Sequence, residues 1–194
     1  MSEFNELLEL LSMLVTDPRT AVLFVLLAIA AVTDYRFFKI PNWLTGGGLV
    51  FALVYTTVVP PEYGASWTWG PAGMLVGFFA TIPLYLLRTL GAGDVKLMAM
   101  VGSFVGLNGI MYSMLFSCIT AGIAAIGFAS ANGVLFRMLS NVRGILRGMG
   151  WAALGGIRPT AQMEPEASVG KLAYGISIAV GTTIYVVADH LFLL

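Results

Sequence analysis

The sequence predicts an all-α integral membrane protein, six transmembrane helices with amphipathic helices at the interface, and three observations predict it. Of its 194 residues 58% are hydrophobic and only 10% are charged, against roughly 25% charged in soluble domains. The apolar residues gather into six runs, and a crossing helix needs about 20 of them. The basic residues gather in alternate connections between those runs. A chain of this length accommodates one membrane domain, 1–194, with no room for a large soluble domain.

Taken in order, residues 1–17 place Leu7, Leu8, Leu10, Leu11, Leu14 and Val15 at helical spacing opposite Glu3, Glu6 and Glu9, before Asp17-Pro18 interrupts the pattern. That is an amphipathic helix lying on the surface. Its acidic start, in place of a basic one, argues against a removable signal peptide. The spans follow at Thr20–Thr33, Trp43–Val59, Ala72–Leu87 with Pro83 inside it, Val95–Leu107, Ile110–Ala131 and Ala173–Leu194. Proline is tolerated in such helices because neighbours satisfy the freed backbone groups. The stretch 132–172 begins with Leu135, Met138, Leu139, Val142, Ile145, Leu146 and Met149 on one helical face and Arg137, Arg143 and Arg147 on the other, then turns loop-like from Gly150. A basic amphipathic helix on the inner leaflet fits, attracted to anionic lipid.

Arg36 and Lys39 follow the first span, Arg88 and Lys96 bracket the third connection, and Arg137, Arg143, Arg147, Arg158 and Lys171 fill the fifth. The second and fourth connections contain no basic residue. The positive-inside rule makes the odd-numbered connections cytoplasmic and leaves both termini outside. Arg19 alone sits on the wrong side, among acidic neighbours. Net charge is zero, which gives no support to a nucleic-acid partner. Cys118, the single cysteine, is expected to be a buried inert thiol. Trp67 and Trp69 read as interfacial anchors and His190 as an interfacial residue.

Two acids stand out because an aspartate beside hydrocarbon is costly and therefore a functional candidate. Asp34 ends the first span and Asp94 begins the fourth, both at the cytoplasmic edge under this topology, so the carboxylates can meet. Two carboxylates at hydrogen-bond distance share one proton, one acting as base while the other remains an acid. Such a pair can activate water against a peptide carbonyl with no metal or cofactor. Gly91 and Gly93 leave room for another backbone to approach. The plainer alternatives are a helix end with Asp34 paired to Arg36 or Lys39, and a loop glycine pair followed by Asp94 as a helix N-cap.

Two strings tip that balance: Asp34-Tyr35-Arg36-Phe37-Phe38-Lys39-Ile40-Pro41-Asn42 and Gly91-Ala92-Gly93-Asp94-Val95-Lys96-Leu97. Together they resemble the signatures of the type IV prepilin peptidase family, the GxGD aspartic proteases, and most of all its short Tad/Flp-pilus members. The first signature is met at Asp34, Arg36, Ile40, Pro41 and Asn42, and the second at Gly91, Gly93, Asp94, Lys96 and Leu97. The resemblance, read across all six spans, implies Asp34 and Asp94 as the catalytic pair. It implies Gly91, Gly93, Lys96, Arg36, Pro41 and Asn42 as substrate-binding or structural support. It also implies a bacterial inner-membrane peptidase that removes a short basic leader from prepilins or pilin-like proteins at the cytoplasmic face, with periplasmic termini and no cofactor. Short relatives often carry Pro-Tyr-Gly entering the last span, where this chain has Ala173-Tyr174-Gly175. Larger relatives methylate the trimmed product with a cysteine-bearing domain that has no counterpart here. Gly46, Gly47, Gly48, Gly73 and Gly77 permit close helix approach, for the chain's own packing or for a substrate helix.

Two other readings stay open. A proton- or cation-coupled transporter would use Asp34 and Asp94 to bind the moving ion and would carry polar residues on through its spans. An inactive pilus-assembly partner would keep the fold to bind pilin-like proteins.

Overall fold

In the computed structural model the described residues are 17–59, 68–87, 89–136, 140, 143 and 173–192. The helix expected over 1–17, the Trp67 side chain, Arg88 and most of 132–172 lie outside them. Every regular element among the described residues is α-helical: α1 (Pro18–Phe37), α2 (Asn42–Val58), α3 (Trp69–Leu86), α4 (Ala92–Ala131) and α5 (Tyr174–Phe192). Three of these, α1, α3 and α4, are long and apolar enough to cross a membrane.

The boundaries follow from local chemistry. α1 opens on Pro18, whose missing N–H costs nothing at that position, and Asp17 accepts the Arg19 N–H at 3.0 Å. It closes where Phe38 turns left-handed (φ 49, ψ 36) and donates its N–H to the Asp34 carbonyl. Asp34 is thereby fixed one turn from the helix end. Ile40 and Pro41 then lead into α2 with Pro41 extended (φ −65, ψ 137).

The fourth and fifth expected spans run within α4 as two helices that meet at a kink. Asn108 and Gly109, read from the sequence as a connection, are helical, and Gly106 alone leaves helical geometry at φ 72, ψ −171. Only glycine adopts that backbone without strain, and a Cβ there would overlap the Trp69 ring. Trp69 therefore fills the notch of the kink, in addition to any anchoring at the interface. It also stacks on Arg19, whose guanidinium lies 5.3 Å from the Trp69 ring and 5.7 Å from Tyr55 and donates to the Val59 carbonyl at 3.2 Å. The charge that broke the positive-inside pattern is thus held by cation–π contacts.

The arm of α4 before the kink is central to the first compact unit, which comprises 1–121 and 173–194. Leu97, Met98, Ala99, Met100, Val101 and Phe104 are all buried, so a segment too short for a confident span in sequence is apolar all round because helices surround it. α3 meets this arm through glycine, since a Cβ on Gly73 would overlap the Gly102 carbonyl and one on Gly77 would stand 2.5 Å from the Met98 carbonyl. α1 packs most extensively on α5. Cys118 is exposed on the arm after the kink, contrary to the buried thiol expected, because an apolar helix in lipid has an outward apolar face as well as an inward one.

The second unit, 122–172, holds the end of α4. That end is closed by Gly133 (φ 67), with Val134 N–H donating to Ala129 O at 2.9 Å and Gly133 N–H to Ser130 O at 3.1 Å, a Schellman cap. Leu135, Phe136, Ser140 and Arg143 beyond it are helical.

Candidate active site

The site begins with the two acids. Asp34 and Asp94 are the buried acids among the described residues, 6% and 7% exposed, and they lie within reach of each other's charge. Each carboxylate is held by one backbone N–H. Gly175 donates to Asp34 Oδ2 at 2.7 Å and Gly91 donates to Asp94 Oδ2 at 2.9 Å. Among the described residues neither Oδ1 has a partner, so each acid keeps one oxygen for water, a proton or a substrate carbonyl.

The bond to Asp34 comes from the first turn of α5. N–H groups there have no partner within their own helix, and the positive end of the helix favours a carboxylate. The approach is close: a Cβ on Gly175 would stand 2.8 Å from Asp34 Oδ2 and 3.0 Å from its Cγ. Only glycine fits. Gly175 is a member of the site that the sequence did not single out; its signal was the Tyr174-Gly175 pair at the start of the last span. The bond also removes the plain alternative for Asp34, since among the described residues it makes no ion pair with Arg36 or Lys39, both of which are exposed.

Asp94 is three residues inside the helix start, not its N-cap. Its N–H donates to the Gly91 carbonyl at 3.1 Å while its side chain takes the Gly91 N–H. This is the returning half of a capping box, with Asp in place of Glu reaching back to the N-cap N–H and the glycine carbonyl taking the N–H that a capping side chain would take. Neither Gly91 nor Gly93 has a positive φ. Gly93 is glycine because a Cβ there would lie 3.2 Å from the Ile40 side chain. The room the sequence offered to a visiting backbone at Gly93 is filled by the chain's own Ile40.

That contact is one of two that join the strings. Lys96 Nζ donates to Asn42 Oδ1 at 2.8 Å, so the α1–α2 connection lies against the start of α4 at both Ile40 and Asn42. Pro41 sets the turn between them. Arg36 makes no side-chain bond among the described residues. His190, at the far end of α5, faces the Val186 carbonyl at 2.8 Å and is remote in sequence register from Gly175. Among the described residues no three His, Cys, Asp or Glu side chains come together as a metal site.

Comparison with known proteins covers the same strings. Residues 21–126 match the family model described as the type IV leader peptidase family. That stretch includes Asp34 through Asn42 and Gly91 through Lys96 and stops within α4, short of the six spans over which the sequence resemblance was read. The chain is 33% identical over 106 residues to the prepilin leader peptidase/N-methyltransferase of Bacillus subtilis (strain 168), an alignment covering 53% of this chain and 42% of that protein. The chain thus spans less than half the length of the curated relative it matches. No solved structure matches.

Proposed function

The chain belongs to the type IV leader peptidase family, and from that premise we propose that it is an intramembrane aspartic endopeptidase that removes the basic leader from prepilins or pilin-like proteins. The observation that carries the reading is the burial of two acids within reach of each other's charge, each anchored by one oxygen to a glycine N–H. In the proposed reaction one carboxylate takes a proton from water as the water oxygen bonds to the scissile carbonyl carbon. The other, protonated, hydrogen-bonds the carbonyl oxygen. The tetrahedral species collapses, the C–N bond breaks, and a proton passes to the departing amine, leaving one proton on the pair. The glycine bonds hold the acids in place without neutralising them, so little reorganisation is needed as charge develops. Gly91, Gly93, Pro41, Asn42 and Lys96 act as positioning residues in this scheme. The proposed setting is the bacterial inner membrane with the pair at its cytoplasmic edge.

The transporter reading has less support. The polar side chains at the contact of α4 with α5 are hydroxyls, the buried Ser113, Ser117, Ser177 and Thr182 and the half-buried Thr120. Ser117 donates to Ser113 O and Thr120 to Ser177 O, at 2.6 and 2.9 Å. The first lies within α4 and the second joins α4 to α5, a kind of bond that cements helices in lipid, and neither offers an ionisable group to a moving proton. Co-expression of a pilin precursor with the wild type, Asp34→Asn or Asp94→Asn, followed by gel shift, tests the proposal. Loss of leader removal in both variants with unchanged membrane insertion is expected, and normal processing by either refutes it. Ion flux through the reconstituted protein would instead favour the transporter.

A further inference from the structure

We infer that the groove between α2, α3 and the first arm of α4 is where the precursor's apolar helix docks from the lipid, an assignment that rests on the peptidase reading above. The groove has a volume of about 520 Å³ and is walled by apolar side chains, with Asn42 and Lys96 as its polar end. Those two residues belong to the two strings that carry the acids, and Lys96 is two residues past Asp94. An occupant that fills the groove therefore ends beside the two strings that carry the acids. Its outer walls, Leu75 and Phe79, are exposed apolar residues on a helix long enough to cross a membrane, so the groove opens sideways toward lipid.

Three features select a helix as the occupant. Gly46 lines the groove, and a Cβ built on it meets no atom within 4 Å, so a second helix backbone can come close to α2, which is how helices associate in lipid. The chain's own packing has used three other glycines of these helices: Met100 occupies the space at Gly48, Gly102 that at Gly73 and Met98 that at Gly77. Lys96 supplies the complementary chemistry at the end. Its ammonium has three N–H donors and, among the described residues, one bond, to Asn42 Oδ1. The remaining donors suit the unpaired carbonyls of the extended leader just before the helix begins, the stretch that must cross the acids to be cut.

Cysteine cross-linking with the full chain in vesicles tests this, using a Cys118→Ser background and a single-span pilin precursor with one cysteine moved along its apolar helix. Groove positions are probed by Gly46→Cys and Phe79→Cys, and comparison positions by Val25→Cys and Leu115→Cys, whose native residues are 59% and 55% exposed. Adducts at the two groove positions, recurring with a helical period along the precursor, and none at Val25 or Leu115, are expected. Gly46→Leu puts a branched side chain into the groove from a position where a Cβ meets no atom within 4 Å, and is expected to raise KM about tenfold while kcat holds. Absent groove adducts, equal adducts at the comparison positions, or a wild-type KM for Gly46→Leu overturn the proposal. So does labelling of the groove by a photoactivatable anionic phospholipid that the precursor fails to displace. Asp34→Asn and Asp94→Asn should still cross-link; if they also process the leader normally, the catalytic reading falls while the docking surface stands.

Discussion

Replacing Gly175 by alanine adds one methyl group at the place where α5 meets Asp34. Its carbon would stand 2.8 Å from Asp34 Oδ2 and 3.0 Å from Cβ and Cγ of the same residue, whereas non-bonded carbon contacts settle at about 3.5–4.0 Å. The acid or the helix must retreat by roughly 0.5–0.7 Å. Asp34 cannot retreat and keep the 2.7 Å bond from the Gly175 N–H, a charge-assisted bond of a kind worth about 1.5–3 kcal/mol. Misplacing a reacting group by 1 Å costs on the order of 100-fold in rate, and loss of the anchoring bond adds to a shift of half that size. We predict that Gly175→Ala lowers kcat for leader removal by about 10- to 100-fold, with the protein still inserted and thermally stable to within a few degrees. The assay is kcat on a prepilin precursor in reconstituted vesicles, with Gly122→Ala as the comparison, because a Cβ at Gly122 meets nothing within 4 Å. Activity of Gly175→Ala within about twofold of wild type would show that the close approach of α5 to Asp34 is not part of the catalytic geometry.

Lys96→Met and Asn42→Leu each break the same bond, so their effects on the cleavage rate should be non-additive, with a coupling of about 0.5–1.5 kcal/mol in a double-mutant cycle; additive losses would mean the bond does not join the strings in function. Gly106→Ala meets both a backbone closed to alanine and the Trp69 ring, and should destabilise the protein by about 3 kcal/mol or more, read as a lower Tm in detergent, while an unchanged Tm would refute the account of the kink. The rate of leader removal should fall on both sides of a pH optimum, because at low pH both acids are protonated and no base remains, and at high pH both are ionised and no acid remains; a profile that levels off at either extreme speaks against a shared proton.

Much of this was legible from residue types alone. The order of the helices follows from apolar runs, and the expectation that Asp34 and Asp94 share one edge follows from placing Arg36, Lys39 and Lys96 on one side. What escaped the sequence depends on long-range contacts. Gly106 looked like any other glycine, because only the Trp69 ring and the kink distinguish it. The arm after Gly91 looked too short to cross a membrane, yet its burial by α1, α2 and α3 explains why every face is apolar. Gly93 was read as space for a visitor and is occupied by Ile40, a residue 53 positions away in the other string. Arg19 looked like a misplaced topology signal until Tyr55 and Trp69 were seen around it. The exposure of Cys118 was misread for a simpler reason: hydropathy does not separate the lipid-facing side of a helix from its buried side.

The central claim is that Asp34 and Asp94 act as one unit, and the kcat values of Asp34→Asn, Asp94→Asn and the double variant on a reconstituted precursor measure it most directly. Members of a single catalytic unit are strongly non-additive, so each single substitution is predicted to bring cleavage to background and the double to go no lower. Either single variant retaining more than about 1% of wild-type kcat, or a double variant slowed by the product of the single effects, would contradict it.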